Sequence, residues 1–181
     1  MRYEGINYWA FILNPGTFKV EDVVDKAIRG QEEVYWLVRN REVRKGDRAI
    51  IWKTKGNKTK NIKQRSGIIA LAEVLEDPKL MNDPDRDGWV KQNKADKDAN
   101  RVRIRYLVSP NLPLWEGETN LKVLEEKKLI VQKPNIQGPA FHIQLEWEDI
   151  IEAIGGWPDK PPELENAELA LAELVGKNQP G

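Results

Sequence analysis

Tyr35-Trp36-Leu37-Val38, Arg48-Ala49-Ile50-Ile51-Trp52 and Gly67-Ile68-Ile69-Ala70-Leu71-Ala72-Glu73-Val74 fall within one stretch of the chain, and their reading decides the fold. Each run is short, apolar and rich in β-branched or aromatic side chains, and each break carries Gly or charge. Lys45-Gly46-Asp47 reads as a turn before the second run. The pattern predicts three strands, with the last two joined as a hairpin by a long basic loop. Two tryptophans and a run of positive charge therefore lie close together.

The chain of 181 residues fits one domain, or one domain with a tail, and is long enough for a single buried core. Lys and Arg number 29 and Asp and Glu number 29, so the formal charge is zero. The whole molecule is not a polyelectrolyte, and any contact with nucleic acid has to come from a local patch. There is no Cys, which excludes disulfides, cysteine zinc sites and thiol catalysis. Met1-Arg2-Tyr3-Glu4-Gly5 is polar, and the residues from Ile6 are interrupted too soon for a signal h-region. No apolar run approaches the ~20 residues that span a bilayer. The expectation is a cytoplasmic protein with no membrane partner.

Outward from the central stretch, Tyr8-Trp9-Ala10-Phe11-Ile12-Leu13 is nearly all apolar and predicts a strand buried on both faces, closed by Asn14-Pro15-Gly16. Val20, Val23, Val24, Ala27 and Ile28 recur at helical spacing, with Glu21 and Asp22 at the positive end and Arg29 and Gly30 at the other. Residues 77–100 read as irregular and polar. Arg101-Val102-Arg103-Ile104-Arg105-Tyr106 alternates strictly, which predicts a strand with Val102, Ile104 and Tyr106 inward. A short helix is expected at Leu121 to Leu129, a last strand at Ala140 to Leu145, and a helix at Glu146 to Ile154 stopped by Gly155-Gly156. Trp147, Ile150, Ile151 and Ile154 form its buried stripe. Beyond Trp157, a proline-rich linker and a helix from Glu163 to Gly176 are expected, short enough to be marginal alone. The division is therefore a domain over 1–157 and a linker with a C-terminal helix or flexible tail over 158–181. Many short strands with a few short helices predict a small α+β barrel with helices at its ends.

The strand Tyr8 to Leu13 with Asn14-Pro15, Trp36-Leu37-Val38, Gly46 to Trp52, Gly67 to Val74, Arg101 to Tyr106, and Gly138-Pro139-Ala140-Phe141-His142-Ile143 with Trp147 together resemble EVE domains, over about Asn7 to Ile154. The resemblance implies the PUA-like fold shared with YTH domains, a twisted, mostly antiparallel β-barrel flanked by short helices. It also implies a pocket for a modified base: modified cytosine in DNA for some members, modified RNA bases for others. By position, Trp36 matches the cage tryptophan after the first helix. Asn14 falls where related domains read a base edge, and Trp52 falls where many members have Tyr or Trp. Trp89 matches a second cage tryptophan, although the segment before it differs in length. The loop from Lys53 to Arg65 is longer than the family pattern.

Each candidate has a plainer reading. Tryptophans in strands are mostly core residues, and that reading competes at Trp36 and evenly at Trp52. Trp9, Trp147 and Trp157 are assigned to packing. Asn14 carries one donor and one acceptor group, which suits a base edge, but it equally suits a cap on the turn into Pro15-Gly16. The loop residues Lys53, Lys55, Lys58, Lys60, Lys63 and Arg65 are six cations with no acid among them. Lys and Arg neutralise phosphate and release counterions, whereas most charge runs are only solvated. Arg103, with Arg101 and Arg105 on the same strand face, extends the positive track if that face borders the pocket; otherwise the three pair with acids.

Asp83-Pro84-Asp85-Arg86-Asp87-Gly88 resembles the start of a calcium loop, but Lys94 stands where the bidentate Glu is required, so an EF-hand is rejected. Pro84-Asp85 with Glu125-Glu126-Lys127 satisfies a loose nuclease pattern that is common by chance. His142 is the only histidine, and no nucleophile triad, phosphate loop or metal motif is present. No catalytic residue, metal or cofactor is therefore expected. The favoured expectation is a non-catalytic module that takes a modified base, modified cytosine in DNA, into an aromatic pocket. The alternatives are an RNA-binding accessory factor acting on modified tRNA or rRNA, and a metal-dependent nuclease. A protein partner docking on the C-terminal helix is a further expectation.

Overall fold

The computed structural model describes residues 2–29, 34–39, 41–54, 67–107 and 138–158. Five of the six loop cations, the expected helix at 121–129 and the tail from residue 159 lie outside the described residues. The strands are β1 (Tyr8–Leu13), β2 (Val34–Leu37), β3 (Arg48–Lys53), β4 (Gly67–Val74), β5 (Lys79–Met81), β6 (Ala99–Leu107) and β7 (Ala140–His142). Helix α1 (Val20–Arg29) follows β1, α2 (Gln92–Ala95) precedes β6, and α3 (Trp147–Ala153) follows β7.

The strands form one curled, half-barrel sheet in the order β2-β6-β4-β3-β1-β7, with β5 added beside β6. All pairings are antiparallel except β1 with β3, which run parallel from Tyr8↔Arg48 to Leu13↔Lys53. The two long strands of the central stretch, β3 and β4, pair as the expected hairpin. The short strand before them does not join it directly. β2 pairs with β6, from Val34↔Ile104 to Leu37↔Arg101, at the far edge of the sheet. Residues 77–100 are more ordered than their composition suggests, containing β5 and α2.

Both faces of the sheet are covered, which is why β1, β3 and β4 read as continuous apolar runs rather than alternating ones. Along β3, Ala49 and Ile51 enter one cluster with Trp9, Phe11, Leu13 and Trp36, closed by Val23 and Ala27 of α1. Ile50 and Trp52 enter the other, closed by Trp147 and Ile150 of α3 with Ile154 beyond it. A bulge sits opposite the step from Ile51 to Trp52, where Ile51 pairs Ala70 and Trp52 pairs Ile68. The extra residue is Ile69, so Ile69 and Ala70 both fall in the first cluster.

The N-terminal segment is held by one carboxylate. Buried Asp47, after Gly46 at φ 89°, accepts from Arg2 Nη2 (2.8 Å), the Asn7 amide (3.1 Å), Trp9 Nε1 (3.0 Å) and the Arg44 amide (2.9 Å). Burial alone would raise its pKa, but the Arg2 hydrogen bond and these other donors prevail and hold it below the ordinary carboxylate value.

Candidate nucleic-acid interface

Strands β1 and β3 run parallel, so their C-terminal ends emerge on the same side. Asn14 follows one and Thr54 the other, and the Thr54 amide donates to Leu13 O at 3.0 Å. Both residues line a cleft of about 540 Å³. That is within the ~300–1,000 Å³ usual for ligand pockets. The remaining walls come from the end of β2, the segment around α2, the start of β6, and Gly138-Pro139 before β7.

The aromatic wall is Trp89 with Phe18. The two segments that carry them are laced by backbone bonds, Lys19 N to Gly88 O (2.8 Å) and Val90 N to Thr17 O (2.8 Å). This lacing sets Phe18 against Trp89, ring centroids 4.2 Å apart. Trp89 Nε1 donates to Asp83 Oδ2 at 2.7 Å, which locks the indole. Burial is the main effect on the Asp83 carboxyl and raises its pKa. Behind Phe18 lies Trp36, stacked between Phe18 and Phe11 with centroids 5.6 Å apart on each side. Trp36 and Trp89 are each 3% exposed, but only Trp89 is among the side chains lining the cleft, and Trp36 backs the aromatic wall.

The expected site residues thus separate. Asn14 and Trp89 come together at the cleft, and Trp36 lies one ring deeper. Trp52 is in the second cluster, on the opposite face of the sheet, because it alternates with Ile51 along β3. Lys53 is buried, its Nζ donates to Thr54 O at 3.4 Å, and burial lowers its pKa. Lys55, Lys58, Lys60, Lys63 and Arg65 lie outside the described residues; Thr54, the last residue described before them, lines the cleft. Arg103 pairs with Glu76 at 3.1 Å and Arg105 with Glu73 at 2.8 Å, so along β6 it is Arg101 that reaches the cleft. Asn14 caps its turn and also lines the cleft. Its Oδ1 accepts from the Gly16 amide at 2.9 Å, closing the turn, and its Nδ2 is not used by that cap.

The charged lining is Arg39, Lys94, Lys97 and Arg101 against Asp98, four cations to one acid. Phe18, Arg39, Lys94 and Lys97 carry no signal in the sequence that separates them from surface or core residues. Arg39 has one in the backbone, a φ of 51°. That left-handed conformation is costly for a residue with a Cβ, and such strain concentrates at functional sites. Two acids of the Asp83–Gly88 segment are engaged internally. Asp83 holds Trp89, and Asp85 forms an ion pair with Lys26, which also bonds Asp22 at 2.6 Å.

Compared with known proteins, residues 7–152 match the sequence profile of the EVE domain. A hypothetical protein from Leishmania major is similar in structure, with a TM-score of 0.50 at 18% identity, over 83% of this chain and 96% of that one. A protein from Agrobacterium tumefaciens gives a TM-score of 0.39 at 16% identity, over 87% of this chain and 99% of that one. No curated protein matches by sequence.

Proposed function

The chain belongs to the EVE-domain family, and on that premise we propose that it is a non-catalytic nucleic-acid-binding module whose cleft receives a modified base, modified cytosine in DNA. The observation that carries this reading is the convergence of Asn14, Trp89 and the root of the basic loop on one cationic cleft. Trp89, supported by Phe18 and by Trp36 behind it, supplies the stacking face. Asn14 Nδ2 supplies an edge donor. The basic loop that follows Thr54, with Arg39, Lys94 and Lys97 at the rim, holds phosphates.

Extruding a base from a duplex costs a few kcal/mol, and stacking on one aromatic face returns about 1–3 kcal/mol. Stacking alone therefore leaves little margin, and edge hydrogen bonds with phosphate contacts are needed for net affinity. Single- and double-stranded DNA with and without 5-methyl- or 5-hydroxymethylcytosine, titrated at low salt, tests the proposal. Binding that prefers the modified base and weakens in Trp89→Ala supports it. Absence of binding to every DNA, or binding indifferent to Trp89→Ala, overturns it. Preference for modified RNA in the same assay transfers the cleft to RNA.

A further inference from the structure

Trp89 lines the cleft, and the residue after it, Val90, is 52% exposed. Single exposed valines are ordinary on a protein surface, and what sets this one apart is its mounting. Phe18 and Trp89 form an antiparallel bridge, which puts Val90 across from Thr17. The Val90 amide donates to Thr17 O at 2.8 Å, and the Lys91 amide reaches the same oxygen at 3.4 Å. Thr17 and Trp89 line the cleft and Val90 does not, so Val90 stands at the border of the cleft rather than within it. Its chain neighbours are fixed as well, the Trp89 amide by Arg86 O at 3.1 Å and Lys91 O by the Lys94 amide at 3.0 Å. A β-branched side chain on such a backbone has little rotamer freedom to lose, so pressing it into an apolar contact costs little entropy.

The other exposed large apolar side chains among the described residues are placed differently. Tyr3 and Ile6 precede β1, whereas the cleft lies beyond the C-terminal end of that strand. Leu145 is beside Gln144, whose Nε2 donates to Ile6 O at 3.0 Å, and so belongs to the same far end. Leu80 is on β5, which contributes no residue to the cleft lining.

Drawing a base out of a duplex breaks its stacking and leaves a vacancy between the adjacent base pairs. An apolar side chain that enters the vacancy regains contact with the uncovered base faces, as apolar wedges do between unstacked base steps. A single strand has no such vacancy, so a wedge contributes to duplex binding alone.

We propose that Val90 is a positioning residue that wedges into the vacancy left when a base enters the cleft, and that the ligand is accordingly a base extruded from double-stranded DNA. Phosphates drawn to Lys91 and Lys94 carry the neighbouring nucleotides past Val90. This inference rests on the base-binding reading of the cleft.

The test compares the full chain with its Val90→Ala and Val90→Leu variants on one DNA sequence carrying a single 5-methylcytosine, as a single strand and as a duplex. Fluorescence anisotropy is expected to show Val90→Ala weaker on the duplex by about three- to tenfold, the worth of one or two buried methyl groups, and unchanged on the single strand. Val90→Leu is expected to bind the duplex at least as tightly as the wild type. A merely structural role for Val90 would lower both affinities alike. An equal loss on both forms, or no loss on either, overturns the wedge and leaves the base pocket standing, provided Trp89→Ala still weakens binding. Val90→Leu as weak on the duplex as Val90→Ala, or wild-type protein that binds the single strand and not the duplex, has the same consequence. Absence of binding to either form, or binding indifferent to both the 5-methyl group and Trp89→Ala, overturns the base-binding reading and the wedge with it.

Discussion

At the scale of single residues, two tryptophans that look interchangeable in sequence have different fates. Trp89→Ala removes the cleft's indole and is expected to weaken binding by about 1–3 kcal/mol, read as a rise in Kd by anisotropy. Trp52→Phe alters the opposite face of the sheet, so affinity is expected to hold while the urea midpoint falls. Asp47 is decisive for stability. Asp47→Ala leaves the Trp9 indole and the Asn7 amide without their buried acceptor, an expected loss of about 3 kcal/mol in chemical denaturation. The wild-type carboxyl has a lowered folded pKa, so the unfolded chain binds more protons in acid. Its contribution is complete above the unfolded value of about 4 and is lost as pH falls through the folded value. Asp47→Ala should therefore flatten the acid limb of stability. His142 acts in the same direction at higher pH. Its Nε2 lies 3.0 Å from Asn7 Oδ1, an oxygen that also accepts from the Tyr3 amide, so the ring nitrogen donates there. Burial, aided by the charge of Arg2, lowers its pKa, and stability should decline once pH drops below about 6.5. His142→Gln should reduce that decline.

At the scale of elements, β1, β3, β4, β6 and α1 were legible because each has a strong period or an unbroken apolar run bounded by Gly, Pro or charge. Strand β5 and helix α2 were not. Lys79–Met81 and Gln92–Ala95 are too short to show a period, and the pairing of β5 comes from β6. The aromatic wall of the cleft also depends on a close approach of α1 to the turn before Trp89. A Cβ on Gly88 would lie 2.6 Å from Asp22 Oδ2 and 2.9 Å from Asp85 Oδ2, and both carboxylates are held by Lys26. Gly88→Ala is expected to cost about 1–3 kcal/mol in thermal or urea unfolding by forcing this contact apart. Because Gly88 O accepts from Lys19 N, the same change should loosen Phe18 against Trp89 and raise the Kd for DNA.

At the scale of the whole molecule, zero net charge coexists with a cleft bearing four cations and one acid, so attraction for a polyanion is local. Binding is expected to fall steeply with salt, and Lys94→Ala or Lys97→Ala to reduce the log–log salt slope by about 1 each without changing base preference. The sequence by itself determined the class of fold, since strand-length apolar runs need a sheet covered on both faces. It also determined that cations and aromatics occur near one another along the chain. Only the tertiary structure decided which of them meet. Whether a strand tryptophan enters the cleft side or the opposite face depends on the phase of its strand, and Trp52 and Ile51 differ by one residue. Which arginine of an alternating strand reaches a ligand depends on the acids carried in by its neighbours. Glu76 and Glu73 take Arg103 and Arg105, while Arg101, donating to backbone carbonyls, lines the cleft. Such contacts join residues far apart along the chain, and local periodicity contains no information about them.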